Sequence, residues 1–254
     1  MINYRGQLYA FPSDDDSERY DPVLNSWSSL DFLITLSTKV TVVRGEVYSI
    51  KIDITSRKST IRRFNVERFS WQMVLSSHKG CRGYSCVVSA GNHLYVCGGR
   101  LEHDLVTKTA ERFNTVEKKW EAIANMQQQR ENAFGVATEG KIFLAGGCFK
   151  ETLKTCEVYN ISTNEWQLIG SLTIDHVDGS MVCLKGTLYV LGGTDDLGDS
   201  QLSVECYDPM EDKWIEKTTI PVKIISRETS YHGFSGCVLK LSKGVLDKLD
   251  VIKE

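Results

Sequence analysis

Five tryptophans, Trp27, Trp71, Trp120, Trp166 and Trp214, stand 44, 49, 46 and 48 residues apart in a chain of 254 residues. A period of that size marks a structural unit that is repeated and stacked, because one such unit cannot bury its own apolar face. Other features keep step with the tryptophans. An aromatic residue followed by Asp or Asn lies six or seven residues upstream of each: Tyr20-Asp21, Phe64-Asn65, Phe113-Asn114, Tyr159-Asn160 and Tyr207-Asp208. Further upstream a glycine opens an apolar-aromatic segment, at Gly6, Gly45, Gly91, Gly140 and Gly186. In the last three repeats that segment ends in a glycine pair, Gly98-Gly99, Gly146-Gly147 and Gly192-Gly193; Ala10-Phe11 and Ile50-Lys51 stand there in the first two.

Within a period every segment reads as strand. Val182-Cys183-Leu184 and Leu188-Tyr189-Val190-Leu191 form a hairpin turned at Lys185-Gly186. Ser203 to Tyr207 makes a third strand, and a polar turn leads to a fourth at Trp214. Four strands per 44 to 49 residues is the blade of a propeller. No segment sustains a 3.6-residue apolar period, so helices are expected to be nearly absent. The glycine pairs are read as ending a strand where neighbouring blades crowd and a Cβ would clash. Trp120, Trp166 and Trp214 are read as apolar fillers between adjacent blades.

Composition narrows the classes of function. Thirty Lys and Arg against thirty-three Asp and Glu give a net charge of −3, which argues against a general nucleic-acid or membrane-surface binder. The most apolar stretch, near Leu30 to Val43, is broken by Asp31 and Lys39 and is far too short to span a membrane. The first residues carry no run of signal-peptide length. The eight cysteines mostly sit inside apolar strand patterns and read as small buried hydrophobes of a reducing, cytoplasmic setting. Cys81 and Cys86 fit no zinc spacing and the five histidines form no ligand pair, so no metal and no cofactor is expected. Phosphate-loop and Gly-x-Ser-x-Gly patterns are missing, and an enzyme is not expected.

Taken together, the glycine pair, the Tyr-Asp/Asn pair and the tryptophan resemble Kelch repeats, especially those of the kelch-like ubiquitin-ligase adaptors. The resemblance implies an all-β, Kelch-type β-propeller of four-stranded antiparallel blades over residues 1–241. Its five repeats fall at about 1–31, 32–75, 84–124, 133–170 and 179–220. A closing strand at 232–241 is expected to pair with Leu8-Tyr9, since too few residues precede Gln7 to Phe11 for a full partner strand; residues 242–254 form a tail. The family usually has six repeats, so either the ring is five-bladed or one repeat is missing on the N-terminal side. Kelch-like adaptors also carry BTB and BACK domains upstream, which this sequence does not include, and a fragment of a longer adaptor is one reading.

Rigid blades hold the loops of one propeller end in fixed geometry, which makes that end the natural binding face. In kelch-like adaptors two loop types reach it, one after the glycine pair and one before the first strand of each blade. By that likeness the candidate partner-binding residues are Arg82, Arg100, His103, Arg130, Asn132, Phe149, His176, Asp178 and Asp195. Arginine suits such a face because its planar fork pairs with carboxylates. Arg100 and Arg130 are expected to be exposed. The implied role is recognition of a protein or peptide, as the substrate-recognition part of a cullin-type ligase adaptor. Cullin recruitment would need an upstream BTB domain, and the isolated propeller is expected to be monomeric. A cytoskeletal, actin-associated scaffold is the alternative, and a Kelch-type metalloenzyme the third reading.

Overall fold

Each repeat begins with a tight hairpin whose geometry the sequence imposes. At Arg5-Gly6, Arg44-Gly45, Glu139-Gly140 and Lys185-Gly186 both central residues are left-handed, with φ between 49° and 83°. Two-residue turns of this kind match the right-handed twist of the strands they join. The structure, a computed structural model, describes residues 2–10, 17–30, 38–53, 55–65, 67–68, 70–77 and 82–219. Over these residues the chain builds five four-stranded antiparallel blades and one two-stranded hairpin. Blade 1 comprises Ile2–Tyr4, Gln7–Ala10, Glu18–Asp21 and Ser26–Ser29; blade 2 comprises Thr38–Val43, Glu46–Asp53, Lys58–Asn65 and Ser70–Ser77. Blade 3 comprises Cys86–Ala90, His93–Cys97, Ala110–Asn114 and Lys119–Ile123. Blade 4 comprises Phe134–Thr138, Lys141–Ala145, Cys156–Asn160 and Glu165–Ile169; blade 5 comprises Ser180–Leu184, Thr187–Leu191, Ser203–Asp208 and Lys213–Thr219. The first strands of successive blades lie side by side, as in a propeller. A single 3₁₀ turn, Glu102–Asp104, is the only helical element among the described residues.

The Asp or Asn after each aromatic shapes the turn between the third and fourth strands. Asn114 Oδ1 accepts from the backbone N–H groups of Val116 (3.0 Å) and Glu117 (3.1 Å), and Asp21, Asn160 and Asp208 do the same in their blades. That turn places the tryptophan beside the aromatic, with ring centroids 5.0 to 5.4 Å apart in all five blades. The core lies between blades rather than within them. Trp166 of blade 4 packs with Val88, Tyr95 and Ile123 of blade 3, and Trp214 of blade 5 with Leu144's neighbour Ala145 and Cys156 of blade 4. Trp166 Nε1 also donates to the Ala124 carbonyl at the end of blade 3 (2.9 Å). Trp27 of blade 1 stays 45% exposed. Cys86, Cys97, Cys156 and Cys206 are buried, and burial pushes the Cys86 and Cys156 thiols up to about 12, so both act as apolar side chains.

All three glycine pairs are left-handed, and each is wedged between two incoming loops. A Cβ on the first glycine would lie 2.4 Å (Gly98) or 2.3 Å (Gly146) from the carbonyl of Arg130 or His176, in the loop entering the next blade. A Cβ on the second glycine, Gly99, Gly147 or Gly193, would lie 2.3 to 2.5 Å from a carbonyl in the loop entering its own blade. Blade 2 has no such pair, and its strands simply continue: Glu46–Asp53 and Lys58–Asn65 make one uninterrupted hairpin.

Two expectations about the N-terminal repeat are corrected. Ile2–Tyr4 is a first strand, paired Ile2↔Tyr9, Asn3↔Leu8 and Tyr4↔Gln7; three residues suffice because the turn at Arg5-Gly6 is so short. Leu8 and Tyr9 pair on their other side with Tyr20 and Arg19, so no edge is left there for a closing strand. The closing strand at 232–241 and the tail at 242–254 lie outside the described residues.

The glycine geometry gives a paired test. Gly140 is left-handed with open space around its Cβ position, so Gly140→Ala should cost only the backbone strain, about 1–2 kcal/mol. Gly147→Ala adds a collision with the Glu131 carbonyl and should cost a further ~1–3 kcal/mol in urea denaturation.

Candidate functional site

Three loops that enter blades 3, 4 and 5 carry the same three-residue arrangement: Arg82-Gly83-Tyr84, Arg130-Glu131-Asn132 and His176-Val177-Asp178. The first residue of each turns into the blade. Arg130 is 0% exposed; its guanidinium donates to the carbonyls of Gly146 and Thr155 (2.9 Å each), to Thr155 Oγ1 (3.0 Å) and to Glu157 Oε1 (2.8 Å). Glu157 is equally buried and also accepts from the backbone N–H groups of Gln127 (2.6 Å) and Gln128 (3.2 Å). Arg82, 5% exposed, bonds the Thr109 carbonyl (2.7 Å) and pairs with Glu111 (2.9 Å). His176, 0% exposed, sets Nδ1 2.6 Å from the Gly192 carbonyl and Nε2 3.2 Å from Glu205 Oε1.

Arg82, Arg130 and His176 are therefore not surface residues of a binding face, contrary to the expectation from the sequence. Each is the buried half of a pair that pins an incoming loop to its blade. The backbone of the same residue ties the loop to the blade before: Gly99 N–H donates to the Arg130 carbonyl (2.7 Å) and Gly147 N–H to the His176 carbonyl (2.9 Å). Glu111, Glu157 and Glu205 were missed in the sequence, although each sits two residues before its repeat's aromatic, at Phe113, Tyr159 and Tyr207.

The second residue of each triplet bridges to the loop after the glycine pair, Gly83 with Arg100, Glu131 with Cys148 and Val177 with Thr194. The third residue is left-handed in all three, with φ of 57° at Tyr84, 53° at Asn132 and 52° at Asp178. These three link hand to hand around the start of the inner strands: Asn132 N–H donates to the Tyr84 carbonyl (2.8 Å) and Asp178 N–H to the Asn132 carbonyl (2.9 Å). Their backbones thus occupy equivalent places at the ends of blades 3, 4 and 5, at the mouth of the channel that the blades of a propeller surround, and Tyr84 is 54% exposed. Tyr84 was not singled out in the sequence.

Arg100 reaches this mouth but is already committed. Its Nε and one terminal nitrogen hold both oxygens of the buried Glu131 carboxylate, Nε to Oε2 at 2.6 Å, and its other terminal nitrogen reaches Asp104 (3.2 Å). The Glu131 carboxylate beside it raises the Arg100 pKa above its ordinary value. The guanidinium also lies 5.5 Å from the centre of the Tyr84 ring. His103 is exposed at the left-handed tip of the same loop. Phe149 is half-buried on the small hairpin Cys148–Phe149 and Glu151–Thr152, with the Lys150 ammonium 5.4 Å from its ring. Asp195 accepts from the backbone N–H groups of Leu197 (3.0 Å) and Asp199 (2.8 Å), so its carboxylate closes its own loop. Among the described residues no three of His, Cys, Asp and Glu gather as metal ligands.

The Kelch motif model matches residues 81–127, 130–173 and 177–219, over half of the chain. The chain belongs to the Kelch family. This Kelch chain is 28% identical to human Kelch-like protein 23 over 207 residues, covering 78% of this chain and 36% of that protein. It is 25% identical to the Kelch repeat and BTB domain-containing protein 1 of Ectromelia virus (strain Moscow) over 194 residues, 74% of this chain and 33% of that protein. The chain thus spans about a third of the length of these relatives. In fold it matches the structure of YjhT with a TM-score of 0.70 at 15% identity, covering 85% of this chain and 82% of that one.

Two tests follow from the buried pairs. Arg130→Ala strands Glu157 in the core and should destabilise the protein by ~3–5 kcal/mol, whereas replacing both Arg130 and Glu157 by apolar residues of similar volume should recover most of that loss in urea denaturation. Glu205 is pushed upward by burial, but hydrogen bonds from His176 and from the N–H groups of Thr173 and Ile174 outweigh this and hold it below the usual carboxylate range. Its contribution is complete above the unfolded carboxylate pKa of about 4.3 and lost as pH falls through the lower folded value. Thermal unfolding followed from pH 6 down to pH 3 should therefore show a shallower decline for Glu205→Gln than for the wild type.

Proposed function

We propose that this Kelch chain is a protein-interaction module that meets its partner at the channel mouth, and that it serves as the substrate-recognition part of a cullin-type ubiquitin-ligase adaptor. The observation that carries the first half is the separation of labour within the triplets. The buried pairs fix the loops, and the third residues, Tyr84, Asn132 and Asp178, are presented in one repeated geometry with different chemistries. A rigid, pre-arranged set of side chains limits the ordering cost of association. The half-exposed Tyr84 ring, backed by Arg100, supplies the kind of aromatic anchor that dominates many protein interfaces.

The second half rests on the relatives. They are Kelch-like proteins and a Kelch repeat and BTB domain-containing protein, all longer than this chain. In such an arrangement the propeller would select the target and an upstream BTB domain would hold the cullin.

The mouth is tested by capture from cell extract with the wild type and with Tyr84→Ala and Asn132→Lys. A bound partner should be lost from both variants while their melting temperatures stay within a few degrees of the wild type. Fused behind a BTB domain, the wild type should carry cullin and raise ubiquitination of the captured partner; co-sedimentation with actin filaments, insensitive to both substitutions, would support the scaffold reading instead.

A further inference from the structure

The junction between blade 5 and blade 1 differs from those between the other blades. Trp71, Trp120, Trp166 and Trp214 each pack in an apolar cluster shared with the blade before, whereas Trp27 is 45% exposed. Among the described residues no cluster of buried apolar side chains joins blade 5 to blade 1. The hydrogen-bond series at the blade ends stops at the same place. Gly99 N–H donates to the Arg130 carbonyl and Gly147 N–H to the His176 carbonyl, each in the triplet that enters the next blade. Gly192 and Gly193 hold the same left-handed geometry, with φ of 66° and 91°, yet among the described residues no carbonyl accepts from Gly193 N–H.

The sequence supplies one further triplet. His232-Gly233-Phe234-Ser235 follows Arg82-Gly83-Tyr84-Ser85 position by position: a nitrogen-bearing side chain, the same glycine, an aromatic ring and the same serine. An apolar run, Cys237-Val238-Leu239, comes soon after, as Cys86-Val87-Val88 does in blade 3, and Lys243-Gly244 repeats the turn pair of Lys185-Gly186. Residues 220–231 link the last strand of blade 5 to this triplet. That link is longer than residues 124–129 and 170–175, which make the same crossing between the preceding blades, so the triplet can reach the junction. An aromatic side chain is no obstacle at the third position, since Tyr84 takes it with φ of 57°.

We infer that His232-Gly233-Phe234 is a fourth triplet, docked on the open side of blade 5, and that Phe234 is a further partner-contacting residue of the channel mouth. The role of Phe234 rests on the reading of the mouth as the partner-binding face. The His232 carbonyl accepts from Gly193 N–H. Phe234 N–H continues the series by donating to the Asp178 carbonyl, as Asp178 N–H does to that of Asn132. Two aromatic rings, Tyr84 and Phe234, then stand on either side of Asn132 and Asp178. The partner that fits this order presents apolar side chains at both ends of a polar stretch.

Two measurements on the whole chain test the docking without any partner. With the photoreactive p-benzoylphenylalanine in place of Phe234, irradiation should give adducts that peptide mapping locates at residues 176–178 or 192–194. Phe234→Pro forbids a left-handed third residue and removes its N–H, so hydrogen exchange at Gly193 N–H should quicken at least about tenfold, while Phe234→Asn, which tolerates that conformation, should keep the wild-type rate. Adducts confined to other residues, or equal Gly193 exchange in Phe234→Pro and the wild type, overturn the fourth triplet. Partner capture then tests the ring itself. Phe234→Asn, with a melting temperature matching the wild type, should release the partner that Tyr84→Ala also releases; retention by Phe234→Asn alone overturns the place of Phe234 in the mouth. Retention by every variant overturns the mouth as the binding face, and with it the role of Phe234, while the adducts and the exchange rates still decide the triplet.

Discussion

A buried Arg or His set against a glutamate pins the loop entering each of the last three blades, and in blades 4 and 5 the carbonyl of the same residue grips the previous blade. Arg130 shows it most fully: four hydrogen bonds from its guanidinium enter blade 4, while its own carbonyl accepts from Gly99 of blade 3. An ion pair taken out of water gains little net stability over an apolar filling, since desolvation offsets the attraction. Its consequence is specificity. A loop that must deliver a guanidinium to Glu157 and a carbonyl to Gly99 can cross the blade junction in only one way, and every residue after it is placed accordingly.

The glycine pair and the buried cation are two sides of that constraint. The cation's carbonyl comes so close to the first glycine that a Cβ has no room, and the second glycine's N–H is its donor. Blade 2, which has no glycine pair, also lacks the acid. At the place of Glu111 and Glu157, two residues before its aromatic Phe64, it carries Arg62, and its second and third strands run on past the point where the others stop. The Arg57–Glu102 bridge (2.9 Å) then joins the tip of that longer hairpin to the loop of blade 3. Its charges are exposed, so it contributes little energy and serves to orient the hairpin.

Much of this fold was legible because it repeats. The tryptophan spacing, the aromatic-plus-Asp/Asn pair and the X-Gly turns each answer to one local geometry, and comparing the chain with itself exposes them. The short strand Ile2–Tyr4 escaped because three residues carry no periodicity of their own; only the turn chemistry of Arg5-Gly6 marks it. The binding face was less legible for a different reason. An arginine in a polar loop looks exposed, and its burial is revealed only by a carboxylate 27 or 29 residues away, the separations of Arg130–Glu157 and His176–Glu205. That signal was present, since Arg82, Arg130 and His176 accompany Glu111, Glu157 and Glu205 in the same three repeats. It required reading cation and acid as a pair across a blade instead of residue by residue.

Within each triplet, the fold's demands and the surface's freedom sit two residues apart. The first residue must carry side-chain nitrogens able to reach a glutamate of its blade, and it is Arg, Arg and His. The second must leave its backbone free to pair with the loop after the glycines, and Gly, Glu and Val all serve. The third need only tolerate φ near 55°, a cost of about 1–2 kcal/mol that the hydrogen bonds around the mouth offset, and there the chemistry changes completely, from Tyr84 to Asn132 to Asp178. A substitution at that third position therefore alters what the mouth presents without touching what holds the loop. This makes the mouth, rather than the arginines that first draw the eye, the part of the blade ends where surface chemistry can change independently of folding.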